Sequence, residues 1–394
     1  MKKIFYFLIL YLTLFVNNKV LSLSIDSKSA ILYNLNDNEI IYEKNSNDKT
    51  YVASLTKIMT ALITLENINN LDEEIVVKQS DLLNLNGYAK AGFKVGDNVT
   101  YRDLLYGLLL SSGADAASIL AHNVSASDLD FVSLMNQKVN MLGLSNTIFS
   151  NSIGMDEGNV STASDIALIL KEALKNNDFK TIFTTNEYIT TNGLKLEKTT
   201  YKTSINNKID TSLIIGSKTG YTDKALYCLA SIASIDGVNY LAVTLNNENK
   251  IGHISDTLKL YDYYSNNYSY KNILKKNQFI TNISVKNSNV KEYQIKSNET
   301  IKKYLENSID LNNIEYKYSG VNQLTKKIKK GDYLGKVDII YDNKVLYTYK
   351  AYLEQDIKYY NYWLLLIPLA VIIVCSICII RIIKIKKHKI VIKT

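Results

Sequence analysis

Three short stretches of this chain carry residue types that can do chemistry together. In VASLTKIMTALITLE, residues 52–66, Ser54 precedes Lys57 by three positions at the head of a helical apolar pattern marked by Leu55, Ile58, Met59, Leu62 and Leu65. Residues three apart on a helix share a side, so Lys57 can reach the Ser54 hydroxyl. A hydroxyl is a poor nucleophile until a neighbour takes its proton, and lysine does this once desolvation or nearby cations lower its pKa. The alternative is structural, with Ser54 an N-cap and Lys57 a solvated helix residue. Spacing alone does not choose, because Ser46/Lys49 and Ser288/Lys291 share it without a following helical repeat.

Two further stretches bear on the choice. GSKTGYT places Lys218, Thr219 and Gly220 on an expected strand, where glycine lets a ligand backbone approach and lysine offers a cation for a carboxylate. LLLSSGADAA places Ser112 at a helix-like turn between the other two. The three together, in the order Ser-x-x-Lys, Ser-x-x, Lys-Thr-Gly, are far more specific than any one.

Elements able to hold them can be read from periodicity. AILYNLNDNEIIYEK, from Ala30, is two strand-like runs around Asn36-Asp37-Asn38, a hairpin. From Ser54 to about Leu174 the period is mostly helical. After it SLIIGSKTGYT and ALYCLASIASIDGVNYLAVTLNN read as strands, with a hairpin turn at Asp236-Gly237. The expected unit is α+β, with an antiparallel sheet that joins both chain ends and is flanked by helices. From about residue 275 short alternating runs imply a small all-β domain, residues 278–352.

The chain resembles the serine D-alanyl-D-alanine carboxypeptidases among the low-molecular-weight penicillin-binding proteins. The resemblance rests on the three motifs and on longer text such as GLLLSSGADAASILA and FVSLMNQKVNMLGLSNTIFSNSIGMDEGNVSTASDIALI. It covers roughly residues 23–265, and implies a penicillin-binding/serine β-lactamase-like domain over 23–275. It implies Ser54 as nucleophile, Lys57 as base, and Ser112 as a proton relay to the departing D-Ala. Lys218 and Thr219 would hold the terminal carboxylate, Gly220 would admit the peptide as an added strand, and the N–H groups of Ser54 and Tyr221 would form the oxyanion hole. The implied partners are peptidoglycan stem peptides ending in D-Ala-D-Ala and β-lactams as covalent inhibitors. One departure stands out: the middle motif usually ends in Asn, and here the position is Ala114. A serine β-lactamase, or a wall-binding scaffold with an impaired site, are the competing readings.

Composition sets the setting. The net charge of +8 owes much to Arg381, Lys384, Lys386, Lys387, Lys389 and Lys393, so nucleic acid is not an expected partner. Lys2 and Lys3, the apolar run Ile4–Val16 and Ser22 describe a secretory signal over residues 1–22, with an uncleaved anchor as the alternative. Trp363–Ile380 is uncharged, headed by tyrosines and trailed by basic residues, which reads as a transmembrane helix at 363–383 in membrane lipid with a basic cytoplasmic tail, 384–394. The catalytic domain would then be extracytoplasmic. Cys375 and Cys378 fall in that span, and Cys228 alone remains in the body, so no disulfide is expected there. His122, His253 and His388 lack metal-ligand spacing, and neither metal nor cofactor is expected.

Overall fold

The structure, a computed structural model, describes residues 23–155, 157–360 and 362–391. The signal segment read at 1–22 and the end of the basic tail lie outside them. The described chain divides into two compact units, at Asn266 and Asn267.

The first unit is built on five antiparallel strands: β1 (Ser29–Asn34), β2 (Glu39–Lys44), β3 (Gly216–Thr222), β4 (Leu226–Ile235) and β5 (Val238–Asn247), in the spatial order β2-β1-β5-β4-β3. Register is set by three hairpins, β1–β2, β3–β4 and β4–β5, and by Ser29 lying opposite Leu245, which joins the two ends of the domain in one sheet. Strand β3 is an edge. Along β4 and β5, Ala230, Ile232, Leu241 and Val243 enter the main apolar core, whereas Ser231 and Thr244 face the other way. There Ser231 Oγ lies 2.9 Å from Tyr261 Oη and Thr244 donates to the His253 carbonyl at 3.1 Å, so the last helix of the unit, Gly252–Asn267, covers that face.

The helical middle contains α1 (Thr56–Asn67), α2 (Tyr101–Leu109), α3 (Ala114–Val124), α4 (Asp128–Met141), α5 (Ala163–Ala173), α6 (Asn177–Thr184) and α7 (Thr199–Asn207). Thr100, Ser127, Thr162 and Asn176 cap α2, α4, α5 and α6, each accepting a backbone N–H with its side chain. Every residue of α1 from Thr56 to Thr64 is buried. Its apolar side chains each contribute about 1.5–3 kcal/mol through burial, which lets the helix carry a lysine in the core.

The second unit holds three small sheets. Tyr268–Leu274 pairs with Ile301–Glu306; Phe279–Val285 lies between Glu292–Lys296 and Gln323–Leu324; Tyr333–Tyr341 lies between Glu315–Gly320 and Lys344–Tyr352. The strand Tyr268–Leu274, which the sequence reading left with the first domain, has its ladder partner about thirty residues on, a pairing that no local pattern reveals. Leu274, Ile283, Leu324, Val337, Ile339 and Ala351 are among its core residues. The unit ends in the helix Tyr362–Val391, in which Leu366–Ile385 is long and apolar enough to cross a membrane.

Candidate active site

A single tight turn, Ala53–Leu55, feeds α1. Leu55 occupies the N-cap position and no side chain caps there. The Ser54 hydroxyl instead accepts a hydrogen bond from Lys57 Nζ at 3.0 Å, so the capping alternative does not describe it. Lys57 is only 1% exposed, and its Nζ also donates to the Ile153 carbonyl at 2.6 Å. Burial pulls its pKa down to about 7, partly opposed by the negative charge of Asp115.

The turn is held by a loop whose residues the sequence motifs do not mark. Thr60 donates to the Ser152 carbonyl at 2.7 Å, and Asn159 Nδ2 donates to Thr56 Oγ1 at 3.0 Å. Gly154 has a φ of +83°, and a Cβ there would stand 2.1 Å from the Ala53 carbonyl oxygen. No other residue fits without moving the Ala53–Leu55 turn. The available signal was local turn chemistry: Asn151, Gly154, Gly158 and Asn159 crowd one short loop.

Strand β3 brings the third motif to the same place. Lys218, also 1% exposed, donates to Ser112 Oγ at 2.8 Å and to the Thr219 carbonyl at 2.7 Å. Its pKa is driven well below the ordinary lysine value by burial first and by the neighbouring Lys57 charge second. A Cβ on Gly220 would meet the Val52 carbonyl at 3.0 Å and the Ser54 nitrogen at 3.2 Å, so the strand and the serine turn run in contact. Ser112, between α2 and α3, and Ala53 both hold positive φ, +57° and +46°, a conformation that costs a non-glycine residue on the order of 1–3 kcal/mol.

Ser54, Lys57, Ser112, Thr219, Gly220 and Tyr221 line one cleft of about 590 Å³, with Lys218 directly behind Ser112. Ala114, wholly buried, opens α3 and contributes to the wall. Among the described residues lining the cleft none is Asn or Gln, so the amide absent from position 114 has no substitute of its own kind. The next residue does a different job. Asp115 accepts from the backbone N–H groups of Ala91, Gly92 and Phe93 at 2.8, 2.8 and 3.1 Å, fixing the loop that forms the cleft's upper rim through Tyr88 and Ala89. At the far rim Tyr221 stacks obliquely on Tyr227, centroids 4.4 Å apart, and Tyr227 on His253 at 5.5 Å. Burial holds His253 down at about 4, so that ring is neutral near pH 7.

This arrangement, a desolvated amine on a serine beside a second amine on an open strand edge, suits acyl transfer from a peptide that ends in a carboxylate. Comparisons with known proteins agree. A family model described as D-alanyl-D-alanine carboxypeptidase matches residues 16–249, and one described as the C-terminal domain of penicillin-binding protein 5 matches residues 268–359. The D-alanyl-D-alanine carboxypeptidase DacF of Bacillus subtilis (strain 168) is 29% identical over 342 residues, 84% of this chain and 86% of the relative. A D-alanyl-D-alanine carboxypeptidase of Streptomyces sp. (strain K15) is 34% identical over 237 residues, 57% of this chain and 81% of the relative. Among solved structures, the carboxypeptidase DacD from Francisella tularensis shares the fold, with a TM-score of 0.68 at 23% identity over 86% of this chain and 95% of the other. The chain therefore belongs to the D-alanyl-D-alanine carboxypeptidase family, serine peptidases of the cell wall that act through an acyl-enzyme.

Proposed function

We propose that Ser54 is the nucleophile of this carboxypeptidase and Lys57 its base. The observation that carries the reading is the buried Lys57 amine, 3.0 Å from Ser54 Oγ, with its pKa lowered to about 7. In the neutral form its lone pair accepts the hydroxyl proton while an N–H stays on the Ile153 carbonyl. The Ser54 oxygen then attacks the carbonyl of the penultimate D-Ala, and the N–H groups of Ser54 and Tyr221 take the developing oxyanion. Ser112 passes a proton to the departing amine. The carboxylate of that D-Ala rests on Lys218 and Thr219, and its charge favours the protonated form of Lys218. Gly220 leaves room for the peptide to lie along β3 as a further strand. Water hydrolyses the ester, releasing the shortened stem and restoring Ser54. A β-lactam would acylate the same serine.

The deciding experiment measures D-Ala release from a synthetic pentapeptide ending in D-Ala-D-Ala, with the purified full chain and Ser54→Ala as control. Release that vanishes with Ser54→Ala is expected. Release that persists would overturn the assignment of the nucleophile.

The same reading covers setting: residues 1–22 as an export signal, the first unit, to Asn266, as the catalytic domain, the β-rich part of the second unit as a spacer, and 363–383 as a single membrane anchor with residues 384–394 in the cytoplasm. The apolar helix and the basic residues after it support this. Protease treatment of intact cells should remove the body and spare the C-terminal tail; a protected body would exclude the topology.

A further inference from the structure

A second cavity, of about 480 Å³, lies on the same helix and strand as the catalytic cleft. Helix α7 divides its residues between the two. Thr199 and Thr203 line the cleft, and Thr200 and Ser204 line the second cavity, each pair being four apart and so stacked on one stripe of the helix. Strand β3 divides likewise, giving Thr219 to the cleft and Ser217 to the cavity.

At the head of α7 stands Lys198. It is 3% exposed as a residue and lines this cavity, where its Nζ reaches cavity solvent with no hydrogen bond or ion pair to the described residues. Burial without a counter-charge draws its pKa down to about 8. Asp210, the acid among the residues lining the cavity, is exposed, accepts from the Ser212 backbone N–H at 2.9 Å and does not pair with the lysine. Around it the lining is hydroxyl-rich, with Ser217 Oγ donating to Thr200 Oγ1 at 2.8 Å. An ammonium that meets only cavity solvent, among several hydroxyls and with no carboxylate paired to it, is placed to take an anion.

We propose that this cavity binds a carboxylate at the end of the catalytic cleft from which the product amino acid departs. Its position rests on the reading given under Proposed function: the reacting carbonyl lies at Ser54 and Tyr221, the terminal carboxylate at Lys218 and Thr219, and the strand then runs on to Ser217. The ligand is either a carboxylate on the side chain of the leaving D-amino acid or a free carboxylate from solution.

The full chain in detergent is titrated with glutarate at constant ionic strength while its melting temperature is followed. A rise of about 5 °C at saturation is expected, absent in Lys198→Met. That variant keeps an apolar stem and removes an unpaired charge, so it should melt no lower than the wild type without ligand; Ser217→Ala serves as a second, milder variant with a weakened response. Equal responses in wild type and Lys198→Met, or no response in either, overturn the site. Peptides ending in D-Ala-D-Glu and D-Ala-D-Gln then identify the source. A kcat/KM preference for D-Glu above tenfold, erased by Lys198→Met while D-Ala release stays within twofold, assigns the leaving residue. Equal rates with a Lys198-dependent melting response assign a free anion. Failure of D-Ala release with the melting response intact would break the catalytic reading and leave this site standing.

Discussion

The two units handle polar groups and backbone strain in opposite ways. In the second unit, tyrosines aside, Ser297 is the one buried polar residue among those described, and its positive-φ residues other than glycine are Asn277, Asn287, Asp342 and Asn343, all types that turns accept readily. The first unit buries Lys57, Lys218, Lys198, Asp103, Asp115 and His253, and puts Ala53 and Ser112 at positive φ beside the nucleophile. A chain that needed only stability would have no reason to accept such terms. The contrast locates the chemistry before any motif is invoked, because strain and buried charge persist where the surroundings over-determine them for a task.

If that contrast is functional, removing the buried amine should have the largest effect. Lys57→Ala should slow acylation by a labelled penicillin by about 10³-fold or more, with the fold retained by circular dichroism. Normal acylation would mean that the lysine is buried for another reason. Next comes backbone geometry: Gly154→Ala, by pressing on the Ala53 carbonyl, should cost about 10- to 100-fold in acylation rate.

Position 114 sharpens the comparison from the substrate side. Ala114→Asn should raise kcat/KM for the pentapeptide by about 5- to 100-fold, the equivalent of a recovered hydrogen bond of roughly 1–3 kcal/mol. Unchanged kinetics would show that a hydroxyl of the cleft already fills the role.

The pH dependence gives a smaller, signed effect. With Lys57 as the proposed base, acting in its neutral form, acylation should rise about tenfold per unit below pH 7 and level off above it. Its folded pKa lies below the unfolded value, so between about pH 7 and 10.5 the unfolded chain binds more protons, and this residue's contribution to stability should increase with pH across that window. Lys57→Met should flatten that part of the stability profile in urea titrations. The smallest effect on chemistry is expected in the other unit. Ile339→Ala should destabilise the β-rich unit by about 2–4 kcal/mol and leave the acylation rate within twofold. A large loss of acylation there would break the division of labour.

Much of this was legible in the chain. The hairpin at Asn36-Asp37-Asn38, the closing strands around Asp236-Gly237 and the helical middle follow from period and turn residues, and so does the nearness of Ser54 to Lys57. What escaped was non-local. The carbonyl of Ile153, the clamp of Asn159 on Thr56 and the grip of Asp115 on residues 91–93 depend on backbone atoms or on contacts up to a hundred residues apart, which leave no spacing signature. Lys198 was equally silent, since a lysine near a helix start normally reads as solvated, and only packing reveals that this one is enclosed.

The free edge of β3 has a consequence for solubility. An unpaired strand edge is a template on which any extended segment of a neighbouring molecule could form a ladder, the usual first step of aggregation. This edge carries Lys218 turned inward, with Lys57 close behind it, so a foreign strand laid there would cover two amines that are already buried and bring them no counter-charge. Only a chain whose end supplies a carboxylate at that register would compensate them. On the proposed roles of these lysines, selectivity for the last residue of a peptide and protection against self-association become one and the same electrostatic property.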